Sequence, residues 1–522
     1  MSIMNNGYKS LGHRKNNSIL VLLKSILVGF AVSLVVVAYR WVLTCAEDVA
    51  SKMYDFFRAN QLLIPVLFFI LAAMGYFVGW LVSKNKMISG SGIPQLKGVL
   101  MGYFKQRWFS TLWQKFVGGA VAILGGLSLG REGPSIQLGA AVGKGIGNKI
   151  AESRLERKIL MASGASAGLA GAFNAPLAGV LFALEEIFKY FSPVILLSTM
   201  SAAIVADFVS KEVFGLTPIF NFQISTAVQL KDYWILIILG IILGLLGAFY
   251  NWLLLKTQSL YKKINKLSIK VKMIIPFMLA GILGLTFPIV LGGGHHVIAE
   301  LHMEQAIGLL IVIWIVKFLF SMISFGSGAP GGIFFPLLVL GGIVGAIFGK
   351  CVIDFLGFDS ALFFNFVILA MAGYFTAIVR APITGVVLII EMTGSFNHLL
   401  SLTVVSLIAY VVADFLKSPP IYEALLENLI RGGSDGLEKE TKHDKKVVIE
   451  MVVQHGSQIE EKQIKEIIWA NRCLVVGVKR GETEVIPTGD TVIKAGDYLI
   501  ILTEAESESS TRELLEKMVV SE

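Results

Sequence analysis

Two charges stand inside an apolar stretch at Gly130-Arg131-Glu132-Gly133-Pro134. Two related stretches are Gly90-Ser91-Gly92-Ile93-Pro94 and the run from Gly326 to Pro336, GSGAPGGIFFP. In each, glycines and a proline open an apolar segment, and proline is tolerated in a first helical turn because its missing N–H would have no partner there. Helices that begin this way present unpaired backbone N–H groups and a partial positive charge, which suits anions. Inside lipid, such helix starts are permitted only where they are buried in protein or line a cavity. A carboxylate fixed at one of them, Glu132, can occupy the anion's place when charged and leave it when protonated. Arg131 fits a fixed counter-charge, since an ion within a membrane is costly unless paired.

A second acid decides what chemistry is available. Glu185 and Glu186 are adjacent, about 100° apart on a helix, so only one of them can face a given route. Other signals lead elsewhere and stop. Gly125 to Gly130 has the glycine spacing of a nucleotide loop, but Arg131-Glu132 follows where Lys-Ser/Thr is needed. His295-His296 has no further ligand nearby in sequence and is expected in a solvated loop. Cys45, Cys351 and Cys473 are isolated and have no metal spacing. No nucleophile and base suggest a hydrolase, so neither an enzyme nor a cofactor is expected.

The elements that position these residues must lie in a membrane. Of 522 residues, 55% are hydrophobic and 16% charged, which is too apolar for an ordinary soluble chain. The runs 19–37, 62–82, 234–255, 274–291, 307–323 and 399–416 each approach the roughly 20 residues that cross a bilayer. The first is expected to be a span and not a cleaved signal, because it is long, lacks a small-residue cleavage site and precedes further spans. Lys9, Arg14 and Lys15 precede it without an acid, which puts the N-terminus in the cytoplasm. The net charge of +8 fits the same bias. Without a basic cluster interleaved with aromatics, no nucleic-acid partner is expected.

An internal duplication lies within the apolar part. Asn174 to Glu186, NAPLAGVLFALEE, aligns with Arg380 to Met392, RAPITGVVLIIEM, at a shift of 206 (175 to 381). Repeats interrupted by Gly and Pro are the mark of a transporter or channel whose site lies between its halves. After Leu416 the composition changes. The polar stretch 431–446 reads as a linker, and 447–522 as a small α+β module. Its strands are expected at 447–453, 473–479, up to Pro487, and 498–502. Ser457-Gln458-Ile459-Glu460 reads as a capping box opening a helix through Trp469, and a last helix is expected from about Ser509.

The motifs GSGIP, GREGP and GGIFFP, with AFNAPLAGVLFALEE and RAPITG, resemble the CLC chloride channels and proton-coupled chloride antiporters over residues 19–425. The resemblance implies an all-α polytopic membrane protein with inverted internal repeats, assembled as a homodimer with one anion pathway per subunit. It implies that the Ser91 hydroxyl, the Tyr422 phenol and the N–H groups of Ile333 and Phe334 bind chloride. Moderate dipoles of this kind replace hydration and keep binding reversible. Glu132 would be the gate, with Gly130, Gly133 and Pro134 shaping its turn. Glu186 would be the internal proton-transfer acid, whose presence favours an antiporter over the alternative, a passive chloride channel. Glu391 would be structural. A serine at 91, where nitrate-preferring relatives resemble GPGIP, favours chloride; the fluoride-exporting branch departs more widely from these motifs.

The module at 447–522 resembles the TrkA-C or RCK-C type of regulatory domain, carried by VIPTGDTVIKAGDYLIIL (Val485 to Leu502). Related modules dimerise, and some bind cyclic di-AMP; Asn471, Arg472, Val475 and Pro487 are the residues available for such a ligand. The expected protein is therefore a chloride/proton antiporter of the cell's inner membrane. Its domains are an N-terminal segment at 1–18, the transmembrane domain at 19–430, and a cytoplasmic regulatory module, both termini being cytoplasmic.

Overall fold

The computed structural model describes residues 2–189, 192–220, 222, 227–264, 267–431, 446–469, 473–481, 483–504, 511, 514–515 and 518–519, with side chains from residue 19 onward except at 446, 447 and 504. Two compact units divide the chain, residues 1–438 and 439–522.

The first unit is helical. Its first half comprises α1 (Ser2–Ala59), α2 (Ile64–Lys84), α3 (Ile93–Leu100), α4 (Trp108–Leu124), α5 (Glu132–Ile150), α6 (Arg154–Phe173), α7 (Pro176–Phe182) and α8 (Pro193–Phe214). A π-turn over Ala183–Phe188 prolongs α7. The second half comprises α9 (Tyr233–Lys263), α10 (Ile269–Lys272), α11 (Ile274–Thr286), α12 (His295–Ala299), α13 (Ile307–Gly326), α14 (Phe334–Leu356), α15 (Phe363–Val379), α16 (Pro382–Thr393) and α17 (Leu399–Phe415), and α18 (Ile421–Arg431) follows it. Among the described residues, eight helices are long and apolar enough to cross a membrane.

Where elements end follows local chemistry. The run expected to stop at Val37 continues to Ala59, because no Gly or Pro occurs between Gly29 and Ala59 and a stripe of Val32, Val36, Tyr39, Leu43, Ala50 and Tyr54 stays buried at helical spacing. The run 274–291 breaks instead at Thr286, just before Pro288 opens a short 3-10 turn. In α5 and α6, glycines permit a very close approach: a Cβ on Gly139 would collide with the Gly164 carbonyl, and one on Gly164 with the Gly139 carbonyl.

The duplication extends far beyond the thirteen aligned residues. Gly130 and Gly332, 202 positions apart (130 to 332), donate N–H to each other's carbonyl at 2.7 Å each way. At the same shift, Gly126 and Gly328 both take φ of 84°, and Gly90 and Gly292 take 61° and 60°. The helix starts also match: Arg131 precedes α5 at φ −87°, ψ −18°, and Ile333 precedes α14 at φ −90°, ψ −11°. From α6 and α15 onward the shift is 206, because α14 has 23 residues where α5 has 19, one helical turn more.

Two lysines occupy equivalent buried places at the shift of 202. Lys115 on α4 donates to the carbonyls of Ile88 (2.9 Å) and Gly90 (2.5 Å). Lys317 on α13 donates to Val290 (2.9 Å), Leu291 (3.4 Å) and Gly292 (2.7 Å). Both are fully buried, and carbonyl dipoles supply the partners that a dry ammonium requires.

The second unit holds a four-stranded antiparallel sheet in the order β1-β4-β2-β3, with β1 Lys446–Val452, β2 Cys473–Arg480, β3 Thr483–Val485 and β4 Tyr498–Glu504. Residues 511, 514, 515, 518 and 519 are helical, and Leu515 and Val519 join Ile449, Val478, Leu499 and Ile501 in its core. Ser509, where that helix was expected to begin, lies outside the described residues. The helix expected from Ser457 to Trp469 does not form. Glu461 takes a positive φ of 59°, and the segment pairs with 491–493 instead: Glu461 N–H donates to Ile493 at 2.8 Å and Ile464 N–H to Thr491 at 3.0 Å. The Glu460 carboxylate accepts from Gly456 N–H at 2.6 Å, not from the cap. A capping box does occur, six residues later, at Gln463 and Glu466, around one 3-10 turn.

Candidate functional site

Three helix starts converge at the centre of the first unit. The Gly130–Gly332 pair ties the start of α5 to that of α14, and α5 lies directly on the loop that opens α3, since a Cβ on Gly133 would stand 2.9 Å from Ser91 Cβ. Gln137 fastens the same contact by donating to the Met87 carbonyl at 2.7 Å. Gly92 makes the turn into α3 possible at φ 88°, a conformation that costs a Cβ-bearing residue strain. Pro94, Pro134 and Pro336 all sit in first turns, as their spacing predicts.

Ser91 is buried, and its Oγ accepts from Ile93 N–H at 3.3 Å, so its hydroxyl proton stays available to an acceptor. The N–H groups of Ile333 and Phe334 find no backbone carbonyl among the described residues. An aromatic layer surrounds the start of α14: Phe334 lies 5.2 Å from Phe173, 6.0 Å from Phe182 and 4.8 Å from Phe375 between ring centroids. Tyr422, at the start of α18, meets Phe182 edge-on at 6.3 Å. Its ring is fully buried, and its hydroxyl has no partner among the described residues.

Glu132 is completely buried. Among the described residues, neither carboxylate oxygen has a hydrogen bond of ordinary geometry, and the nearest cation is Arg131, with Nε 3.8 Å from Oε1. These two charges are thus inside the protein and not a surface salt bridge. The Glu132 carboxylate faces the backbone N–H groups of Glu132 and Phe335 at the starts of α5 and α14, an arrangement in which a carboxylate can give way to another anion or take a proton.

Glu186, in the π-turn after α7, is also buried but firmly held: its Oε1 accepts from Lys97 Nζ at 2.7 Å. Sequence reading missed Lys97. The only signal was a lysine in an apolar eight-residue helix three positions after Pro94. Glu185, next in line, does something else: it accepts from the Ile383 and Thr384 N–H groups at 3.2 and 2.8 Å and from Thr384 Oγ1 at 2.7 Å, capping α16. Glu391 reciprocates, accepting from Leu177 and Ala178 N–H at 3.0 and 2.8 Å and capping α7. α7 and α16 therefore run in opposite senses, as inverted repeats require.

A cavity of 240 Å³ leads to Ser91 between Gln95, Gln258, Lys262, Lys272 and Asn428. Its lysines make the approach electropositive. The histidine pair departs from the solvated loop expected of it: His296 is exposed, but His295 stacks on Phe335 with centroids 3.8 Å apart, because α12 begins there against α14. No cluster of three metal-ligating side chains occurs among the described residues.

In the second unit, Val475 packs against the core from β2, and Pro487 is half-buried in the segment after β3; Asn471 and Arg472 lie outside the described residues. Asp497, missed in sequence as more than a turn residue, is buried and receives Arg480 in a two-pronged pair, Nε to Oδ1 at 2.8 Å and Nη2 to Oδ2 at 2.7 Å. Burial pushes this acid up, but Arg480 and the Lys494 N–H outweigh it and hold it below the ordinary aspartate range.

Comparison with known proteins fits this geometry. The voltage gated chloride channel family matches residues 74–414, and the TrkA-C domain matches 448–516. An H(+)/Cl(-) exchange transporter, ClcA, of Klebsiella pneumoniae is 33% identical over 434 residues, 81% of this chain and 91% of the relative. The crystal structure of a slow cyanobacterial Cl-/H+ antiporter superposes with a TM-score of 0.75 at 31% identity, covering 79% of this chain and 98% of that one. A CLC-type fluoride/proton antiporter shares the fold, at a TM-score of 0.62 and 23% identity over 78% of this chain and 97% of that one. These relatives are named as transporters and not as enzymes.

Proposed function

The chain belongs to the voltage-gated chloride channel family, and from that premise we propose that it exchanges chloride for protons across a membrane. The Ser91 hydroxyl, the Tyr422 phenol and the Ile333 and Phe334 N–H groups hold the anion. Glu132 competes with it from the start of α5 and carries the proton, steadied by Arg131 and set in its turn by Gly130, Gly133 and Pro134. Glu186 passes protons between the cytoplasm and Glu132. What chiefly supports this reading is the meeting of three helix starts beside a buried acid whose carboxylate faces the N–H groups of two of them and makes no hydrogen bond of ordinary geometry among the described residues. Chloride can replace that carboxylate only while the proton neutralises it or moves it aside, which links the two fluxes.

The matched regulatory domain supports a cytoplasmic location for the C-terminal module and, with Lys9, Arg14 and Lys15, for the N-terminus of an inner-membrane homodimer. Cyclic di-AMP at Asn471, Arg472, Val475 and Pro487 is the proposed ligand; calorimetric titration of the full-length protein tests it, and absence of heat with this nucleotide removes it.

The exchange reading is tested in liposomes under an outward chloride gradient, recording chloride efflux and internal pH together. Efflux that drives protons inward without a starting pH gradient, and loses that coupling in Glu132→Ala while chloride still moves, is the expected result. Chloride flow without proton movement in the unmodified protein makes it a passive channel.

A further inference from the structure

The Lys97–Glu186 pair is distinct from the gate residue Glu132 and neighbours the anion contacts through Tyr422. Its side chains are 1% and 3% exposed. Lys97 sits on α3, whose opening loop carries Ser91, so one rigid eight-residue helix joins an anion contact to the partner of the internal acid. The other groups near Glu186 are Lys189 and Glu185 from its own segment and Tyr422 from α18. Lys189 is itself paired with Glu423. α6 and α8 meet this turn through the apolar cluster of Ile159, Ala170, Val180, Leu184, Ile195 and Ala203.

In so dry a place, removing one charge of a pair is costly because the other is left stranded. Protonating Glu186 neutralises the carboxylate and strands the Lys97 ammonium. Each proton loaded must therefore work against the lysine, and any movement of α3 that draws Lys97 away makes loading easier. Removing the lysine's charge makes the carboxylate easier to protonate by the ordinary rule for opposite charges.

We propose that Lys97 is a positioning residue for exchange: it fixes the Glu186 carboxylate and sets the pH at which that acid accepts its proton. The inference rests on the exchange reading. The only bond made or broken at Glu186 is O–H, with the proton entering from the cytoplasm and passing on toward Glu132.

The test uses full-length protein in liposomes, with chloride efflux and proton uptake recorded across a range of internal pH. Lys97→Met shifts the pH profile of exchange upward by about one unit, roughly tenfold in proton affinity. Lys97→Arg restores the unmodified profile to within about a few tenths of a unit. In the Glu186→Gln background, Lys97→Met produces no such shift in the pH dependence of chloride efflux. Lys97→Gln carries the same expectation as Lys97→Met and replaces it if that protein does not fold. A profile superimposable on that of the unmodified protein, or an equal shift with and without Glu186, overturns the role of Lys97 alone. Unmodified protein that moves chloride but no protons overturns the exchange reading and this inference with it.

Discussion

The two halves of the membrane unit share a scaffold and differ in chemistry. At equivalent positions both keep a buried lysine, Lys115 and Lys317, both keep positive-φ glycines, Gly90 with Gly292 and Gly126 with Gly328, and both keep a capping acid, Glu185 and Glu391. At the helix starts the likeness ends. Arg131 and Glu132 of the first half correspond to Ile333 and Phe334 of the second, and Ser91 corresponds to Gly293, all at the shift of 202 (132 to 334). Lys97 corresponds to Ala299, and Glu186 to Met392 at the shift of 206 (186 to 392). The repeat preserves what holds backbone in place and departs where an ion has to be handled. Both acids proposed to carry protons lie in the first half, while the second supplies the Ile333 and Phe334 N–H groups, and the aromatic wall is shared, Phe173 and Phe182 from the first half meeting Phe334 and Phe375 from the second.

Several substitutions test that division, the largest effect first. Glu132→Ala removes the acid by which the start of α5 differs from that of α14, and it is expected to abolish chloride-driven proton movement completely. Any residual coupling means that the asymmetry lies elsewhere. Lys115→Met and Lys317→Met attack the shared scaffold. Among the described residues, Lys115→Met leaves the Ile88 carbonyl without a donor, since Gly90 keeps the Gly331 N–H, and Lys317→Met leaves those of Val290, Leu291 and Gly292 without one; at about 1–3 kcal/mol per buried group, thermal unfolding in detergent is expected to show a loss for both, the larger for Lys317→Met. A benign result in one half shows that the lysines are equivalent in place only. Glu185→Gln and Glu391→Gln weaken one cap each, by about 1 kcal/mol, and should match each other to within about 0.5 kcal/mol by the same measurement.

The smallest effect lies outside the repeat, at Asp497. Its carboxyl is held below the ordinary value of 3.8 by Arg480 and Lys494, so the pair contributes stability that is fully present above that value and disappears as pH falls through the lower folded one. Hydrogen exchange of β4 amides in the full chain should therefore accelerate below the ordinary aspartate range, and Asp497→Asn should remove that step.

Much of the site was legible because it is local. Glycine and proline at a helix start leave a fixed signature, and Pro94, Pro134 and Pro336 mark all three. The turns of the second unit were legible for the same reason, with Gly496 at φ 83° before Asp497. What stayed hidden depends on partners distant in sequence. Lys115 and Lys317 each look like a stray charge in an apolar helix until the loop carbonyls that receive them are seen. Lys97 and Glu186 are 89 residues apart. The extra turn of α14 changes the repeat's shift partway, so aligning at 206 finds α7 and α16 and passes over the helix starts that matter most. The helix expected at Ser457 failed because a good local cap lost to backbone pairing with residues 491–493, a competitor that a short window does not contain.

The crossed caps have a consequence for biosynthesis. Glu391 reaches back 214 residues to Leu177, and Glu185 forward 198 to Ile383. When the first half has emerged from the ribosome, the N–H groups at the start of α7 still lack their acid, and the acid at the end of that helix still lacks its own N–H groups. Neither half can complete its caps by itself, so α7 and α16 reach their final state only once residue 391 has been made. A chain truncated before α16 should therefore be recognised as unfinished and degraded, not retained as half a carrier.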